Sequence, residues 1–192
     1  MEAPVLKDSD YKTISDMVYR HSRIHLGDAK KELVTSRLGK RLRATGCATY
    51  SDYCEFISGL SGDEEINHLI DAISTNHTFF FREKKHFEFL ESSVFENFEN
   101  EKIFRGDGIF RCWSAAASTG EEPYSIAMTL ERHALVRKGF RWSMVCSDIS
   151  HTALETAKAG IYPESRLDDL DQQLKKTFFS KRGRLPSRLL PC

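Results

Sequence analysis

An all-α N-terminal domain followed by an incomplete α/β domain of Rossmann-like type is the fold class that this sequence predicts. Three observations predict it. Apolar residues recur at helical spacing through the first third of the chain, as in Ile66, Leu69, Ile70 and Ile73. Two short runs rich in aromatic and β-compatible residues, 109–113 and 142–147, come only in the second half. Between those runs a stretch of small residues opens onto a helical pattern, which is the strand–loop–helix order of a βαβ unit.

Each element has its own signals. Asp8 or Ser9 can cap a first helix that carries Ile14, Val18 and Met17 on its apolar stripe. A second helix is predicted over 29–44. It ends near Gly46 and turns Leu33, Val34, Leu38 and Leu42 inward. A third covers 50–60 and stops at Ser61 and Gly62; a fourth covers 64–74. Residues 84–98 read as a helix burying Phe87, Leu90 and Phe95, and 100–108 as a polar linker. The expected domains are therefore 1–83, helical; 84–107, a connecting helix and linker; and 108–192, an α/β part with an atypical basic tail at 184–192.

Composition narrows the function classes. Among 192 residues, 28 Lys and Arg balance 28 Asp and Glu, so no whole-molecule field draws the chain to nucleic acid or membrane. No apolar run is long enough to span a bilayer. The five cysteines are scattered without a CxxC pair, which indicates neither a zinc site nor a disulfide framework, and no metal is expected. Cys112 and Cys146 fall in predicted strands and read as inert thiols; a reducing cytoplasm suits this usage. A monomer is the default expectation.

The most informative stretch runs from Ser114 through Ala115, Ala116, Ala117, Ser118, Thr119, Gly120, Glu121, Glu122, Pro123 and Tyr124 to Ser125. Small side chains let the backbone approach a ligand, and Gly120 permits a tight turn. Ser118 or Thr119 can cap the helix, and Pro123 suits its first turn. A bare helix N-terminus attracts anions, but Glu121 and Glu122 already supply negative charge, so a pyrophosphate would be repelled. An adenosyl ligand with cationic groups fits, and S-adenosylmethionine carries a sulfonium and an ammonium without a phosphate. Asp148, at the tip of the second strand, is placed to accept hydrogen bonds from ribose hydroxyls. An ordinary capped helix start is the plain alternative.

Two further stretches carry candidates. In Thr75 to Glu83, three consecutive phenylalanines cannot all enter one amphipathic core. The segment is either interdomain packing or an aromatic wall of a pocket, with Arg82 able to hold a carboxylate by two hydrogen bonds. His77 is given neither a metal nor a catalytic role. The second helix crowds Lys30, Lys31, Arg37, Lys40, Arg41 and Arg43 against one acid, Glu32. That pattern is either a solvated basic face or a docking surface for an acidic helical partner. Nucleic acid is disfavoured because no aromatics are interleaved.

Taken together these residues resemble the CheR-type chemotaxis receptor methyltransferases. The resemblance rests on Asn76 through Glu83, Trp113 through Ala127, Ser147 to Ile149, and Ala153 through Tyr162. It covers roughly residues 8 to 180. It implies transfer of a methyl group from S-adenosylmethionine to glutamate side chains on the cytoplasmic helices of methyl-accepting chemoreceptors. It puts cofactor contacts on Asn76, Thr78, Arg82, Glu122 and Asp148, makes Arg82 the candidate catalytic residue, and makes Arg37, Arg41 and Arg43 candidates for receptor docking. Glu122 is assigned to the amino-acid or ribose part of the cofactor, because an acid beside the sulfur would over-stabilise a charge that the reaction discharges.

The sequence also departs from that family. A doubly wound sheet has about seven strands and two are evident here. The family's later Asn-Leu pair and Arg-Asn-Val segment are absent, and 184–192 does not read as a strand, so the chain is read as C-terminally truncated by a frameshift or a shortened gene model. Two parallel strands would leave apolar surface bare. The competing functions are a protein-glutamate O-methyltransferase, a catalytically dead fragment that acts as a receptor-binding or partner-binding module, and a general nucleotide-binding protein, the last disfavoured by Glu121 and Glu122.

Overall fold

The computed structural model describes residues 4–59, 62–100 and 108–180. The basic tail at 184–192 and the linker residues 101–107 lie outside the described residues. The chain divides into two compact units, Met1–Thr75 with the short stretch Ile149–His151, and the rest from Asn76 onward.

The first unit is all helical. Helix α1 spans Asp8–Ser22, a 3-10 turn covers Asp28–Lys30, and α2 spans Lys31–Thr45, α3 Tyr50–Ser58 and α4 Gly62–Ile73. Their apolar stripes converge on Ile14, Val18, Val34, Leu38, Tyr53 and Leu69, all fully buried. Leu33, expected inward, is only half-buried. Lys7, and not Asp8 or Ser9, occupies the N-cap of α1. Asp8 and Asp10 sit in the first turn instead, where a negative charge suits the helix dipole. Thr49 and Asp52 form a reciprocal capping box at the start of α3. Gly46, at φ 75°, ends α2 in the left-handed conformation expected of it.

The second unit begins with the segment 76–83, which the sequence pattern groups with the helical domain. It joins this unit because Phe80 is buried among Tyr124, Met128 and Phe178, with Phe81 packed beside it. Helix α5, Lys84–Phe89, runs through a π turn at Leu90–Val94 into α6, Phe95–Asn100. The one helix predicted over 84–98 is thus continuous but wider at its centre, and Phe87 and Leu90 are half-buried while Phe95 is fully buried. Then follow β1 at Ile109–Ala115, α7 at Glu121–Val136, β2 at Arg141–Ser147, α8 at His151–Ala159, a 3-10 turn at Glu164–Leu167 and α9 at Gln172–Phe178. Helix α8, the 3-10 turn and α9 add to the elements expected from the sequence, which end with the second strand.

Strands β1 and β2 pair in parallel, from Ile109 opposite Arg141 to Ala115 opposite Ser147. Side chains alternate across a strand, so Phe110, Cys112 and Ser114 share one face with Trp142, Met144 and Cys146. That face packs on Ile126, Met128 and Leu130 of α7. On the other face Trp113 and its partner Val145 are 69% and 64% exposed, which is the bare apolar surface expected of a two-stranded parallel sheet. A ring cluster of Phe95, Phe98, Phe110 and Phe140 closes the far end, with Phe95 edge-on to Phe110 at 5.5 Å. No helix among the described residues is long and apolar enough to cross a membrane.

Candidate functional site

The site is built at the carboxyl ends of β1 and β2, where ligands of open α/β sheets bind. Beyond Ala115 the chain stays close to β2: the Ala117 N–H donates to the Ser147 carbonyl at 2.9 Å. The Ser118 N–H donates to Asp148 Oδ2 at 2.7 Å, which ties the loop to the acid at the tip of β2. Ala116 at φ 65°, Ser118 at φ 50° and Gly120 at φ 99° all lie in the left-handed region. Among the described residues five non-glycines have such a φ, and four of them fall in this loop or in the 76–83 segment, at Phe81 and Glu83. Strain gathered in two segments that meet at one helix end points to a functional site rather than to two ordinary loops.

Gly120 is the N-cap of α7, with no side-chain cap bond. The caps expected from Ser118 and Thr119 are not made. Thr119 Oγ1 donates to Glu121 Oε2 at 2.5 Å instead. Ser118 Oγ is buried without a hydrogen-bond partner among the described residues, an orphaned polar atom in the middle of the loop.

Glu121 and Glu122, adjacent in sequence, have opposite environments. Glu121 is 1% exposed and lies 3.4 Å from the Arg166 guanidinium. Glu122 is exposed, and the buried Ser114 hydroxyl donates to its Oε1 at 2.9 Å. One acid is therefore matched inside the fold, and the other presents its charge at the helix start. The argument against a phosphate now rests on Glu122 with Asp148, not on a pair of exposed glutamates.

The 76–83 segment docks on the first turn of α7. The Phe81 N–H donates to Ser125 Oγ at 2.9 Å, and Ser125 Oγ donates to the Glu121 carbonyl at 2.6 Å. Thr78 is buried, Asn76 half-buried and Arg82 exposed. Arg82 Nη1 donates to the His77 carbonyl at 3.0 Å, and its guanidinium lies 5.8 Å from the Phe79 ring centre. The three phenylalanines divide as their adjacency requires: Phe79 is exposed, Phe80 buried and Phe81 half-buried. Asp148 is tied to the loop through Ser118, and Glu122 lies in the first turn of α7 and accepts from Ser114; Asn76, Thr78 and Arg82 lie on the segment that the Phe81 bond to Ser125 anchors.

Two models of known families match the chain in tandem. The CheR methyltransferase all-alpha domain matches residues 9–74, and the CheR methyltransferase SAM binding domain matches residues 76–186. The chain belongs to the CheR methyltransferase family. It is 38% identical over 166 residues to a chemotaxis protein methyltransferase of Borreliella burgdorferi, covering 86% of this chain and 59% of that protein. Its identity to the chemotaxis protein methyltransferase of Escherichia coli is 38% over 183 residues, or 95% of this chain and 60% of that protein. For the Salmonella typhimurium protein of the same description it is 40% over 179 residues, or 93% and 59%. The chain thus spans about 60% of the length of these curated relatives.

Within the CheR all-alpha domain the three docking candidates are not equivalent. Arg37 Nη1 donates to the carbonyls of Ile73 and Ser74 at 2.7 and 2.9 Å, satisfying groups that the end of α4 leaves open. Arg41 grips Glu65 with two bonds, Nε to Oε1 at 2.9 Å and Nη2 to Oε2 at 2.5 Å. The Tyr53 hydroxyl donates to the same Oε1 at 2.6 Å. Burial raises the Glu65 carboxyl, but the hydrogen bonds from Arg41 and Tyr53 outweigh it and hold the group below its ordinary value. The Tyr53 hydroxyl is pushed up, mostly by burial. Arg43 alone of the three is exposed; Lys40, one turn before it, and Lys30, at the start of α2, are exposed as well.

Burial pushes the Cys112 thiol up to about 11, which keeps it protonated and unreactive as its strand position suggested. Sequence reading missed Ser114 as the partner of Glu122, and Tyr162 and Arg166 as contacts of the loop and of Glu121. Ser114 and Tyr162 were inside the motifs that carried the resemblance, but nothing local told what each one touched. Arg166 lay in no motif at all.

Proposed function

We propose that this chain carries the cofactor site of an S-adenosylmethionine-dependent protein-glutamate O-methyltransferase that acts on chemoreceptor helices in chemotaxis adaptation. The observation that supports it best is the helix start of α7, where Glu122 is outward and held by Ser114, Asp148 stands across the loop, and Glu121 is matched internally by Arg166. That donor set suits a cationic, phosphate-free cofactor, and the orphaned Ser118 hydroxyl leaves one more polar group for it. S-adenosylmethionine, when bound, supplies an electrophilic methyl group. The names of the relatives, chemotaxis protein methyltransferases, are consistent with this reading.

The residues have modest tasks. A glutamate carboxylate with an ordinary pKa of about 4.3 is ionised at neutral pH, so no strong general base is required. Arg82 spends one N–H on the His77 carbonyl and offers the others to orient the incoming carboxylate. Asn76 and Thr78 line the cofactor from the 76–83 segment. Asp148 accepts from the ribose hydroxyls, and Glu122 holds the amino-acid or ribose part away from the sulfur. Docking of an acidic receptor helix is assigned to Arg43 with Lys30 and Lys40, while Arg37 and Arg41 brace the helices that present them.

Calorimetric titration of S-adenosylhomocysteine tests the reading. The chain is expected to bind in the micromolar range, and Glu122→Gln to bind roughly 10-fold to 100-fold more weakly. The amide keeps an acceptor for Ser114 but loses a charge-assisted bond of about 1.5–3 kcal/mol. Equal affinity for the two would refute the role of Glu122. No binding by a folded wild-type chain would refute the cofactor site and leave the receptor-binding module, whose mark is salt-sensitive binding to acidic receptor helices that Arg43→Glu abolishes.

A further inference from the structure

The side chain of Arg166 reaches back from the 3-10 turn after α8 to two segments far away in sequence. Its Nη1 donates to the Thr78 carbonyl at 3.0 Å, across 88 residues, and lies 3.4 Å from Glu121 Oε1. The other Glu121 oxygen is taken by Thr119. The Tyr162 hydroxyl, one turn earlier, donates to the Thr119 carbonyl at 2.7 Å. The segment after α8 therefore grips both halves of the site at once.

These bonds close a ring. Arg166 holds Thr78, Phe81 donates to Ser125, Ser125 donates to Glu121, and Glu121 faces Arg166 again. Arg82 lies within this ring's reach: its guanidinium is tied to the His77 carbonyl, one peptide before the carbonyl that Arg166 holds. It is also flanked by Phe81 at φ 53° and Glu83 at φ 57°. Non-glycine backbone in that region persists only where the surroundings over-determine it. The Phe81 bond to Ser125 fixes the start of the strained stretch, and Arg166 holds the chain just before it, at the Thr78 carbonyl.

We propose that Arg166 is a positioning residue: it fixes residues 77–82 on the first turn of α7 and thereby sets the orientation of Arg82. The inference rests on the cofactor-site reading above and adds a residue to it. One nitrogen, Nη1, serves a neutral carbonyl and faces a buried carboxylate, a placement that a planar guanidinium holds more firmly than an ammonium on a flexible stem. The Arg166 side chain is itself 46% exposed, so it adds little to the core, and its removal affects local order more than global stability.

The test measures amide hydrogen exchange and S-adenosylhomocysteine affinity on the full 192-residue chain. It compares wild type with Arg166→Lys, Arg166→Met and the double variant Glu121→Gln/Arg166→Met. The double variant removes the carboxylate that Arg166→Met alone would leave buried without its cation. Expected is exchange at least roughly tenfold faster in residues 77–83 for Arg166→Met and for the double variant, with 124–130 unchanged, affinity down about fivefold or more, and partial recovery of both in Arg166→Lys. Unchanged exchange in 77–83 of the double variant overturns the proposal. Uniform acceleration through 124–130 also overturns it, since that marks a general stabilising role. Should wild type itself fail to bind S-adenosylhomocysteine, the cofactor reading falls, and the exchange data still decide whether Arg166 holds the segment.

Discussion

Replacing Gly120 with alanine is expected to lower the melting temperature by about 6–12 °C, from a loss of roughly 3 kcal/mol. Two costs combine. Gly120 sits at φ 99°, outside the conformations an L-residue adopts without strain. A Cβ built there would also meet the Tyr162 hydroxyl at 2.5 Å and the Ala157 Cα at 3.0 Å. The second is backbone of α8 and cannot swing aside. The Tyr162 hydroxyl can move only by giving up its bond to the Thr119 carbonyl, so the substitution attacks the loop as well as the packing. Ala116→Gly, at φ 65° in the same loop, is the control: the glycine relieves strain there, and its melting temperature should stay within a few degrees of wild type. A Gly120→Ala variant that melts within 2 °C of wild type, on a scale of roughly 2–4 °C per kcal/mol, would show that α8 shifts freely and that the loop is not fixed by it.

The second large effect is Glu65→Ala, expected to cost about 2–4 kcal/mol, below the full figure for a buried pair because the Arg41 side chain is 23% exposed. The substitution strands both the Arg41 guanidinium and the buried Tyr53 hydroxyl, two donors with one acceptor between them. Because the folded-state pKa of Glu65 is lowered, its contribution is complete above the ordinary value of 4.5 and is lost as pH falls through the lower folded-state value. Chemical denaturation at pH 7 and in steps below pH 4.5 should therefore show a Glu65-dependent loss of stability in wild type that Glu65→Gln lacks. Parallel acid profiles for the two would mean that Arg41 and Tyr53 do not select the ionised form.

The helices of the first unit were legible because their signals are local. Ile66, Leu69, Ile70 and Ile73 fall on one helical face, and all four are buried. The same reading counted Arg37 and Arg41 as outward charge, because the groups that absorb them lie 24 to 38 residues away in sequence. No periodicity carries that information. At the candidate site the resemblance singled out the motif residues, but not the different fates of Glu121 and Glu122. Which of two neighbouring acids turns inward depends on Arg166 and Ser114, and only the fold brings those two to the helix start. The left-handed residues at Ala116 and Ser118 were hidden for a related reason: alanine and serine do not announce such a backbone, and here the ties of Ala117 and Ser118 to β2 impose it.

The strand register has an optical consequence. The chain has two tryptophans, and β1 and β2 set them on opposite faces of one small sheet. Trp142 is half-buried, its indole near Glu131 on α7. Trp113 is open to water, and its indole N–H is anchored to the Ser147 hydroxyl, one residue before Asp148. With Trp142 replaced by phenylalanine, the remaining emission comes from a single solvated indole beside the site. Its colour would report, without any added label, whatever comes to lie against that face of the sheet.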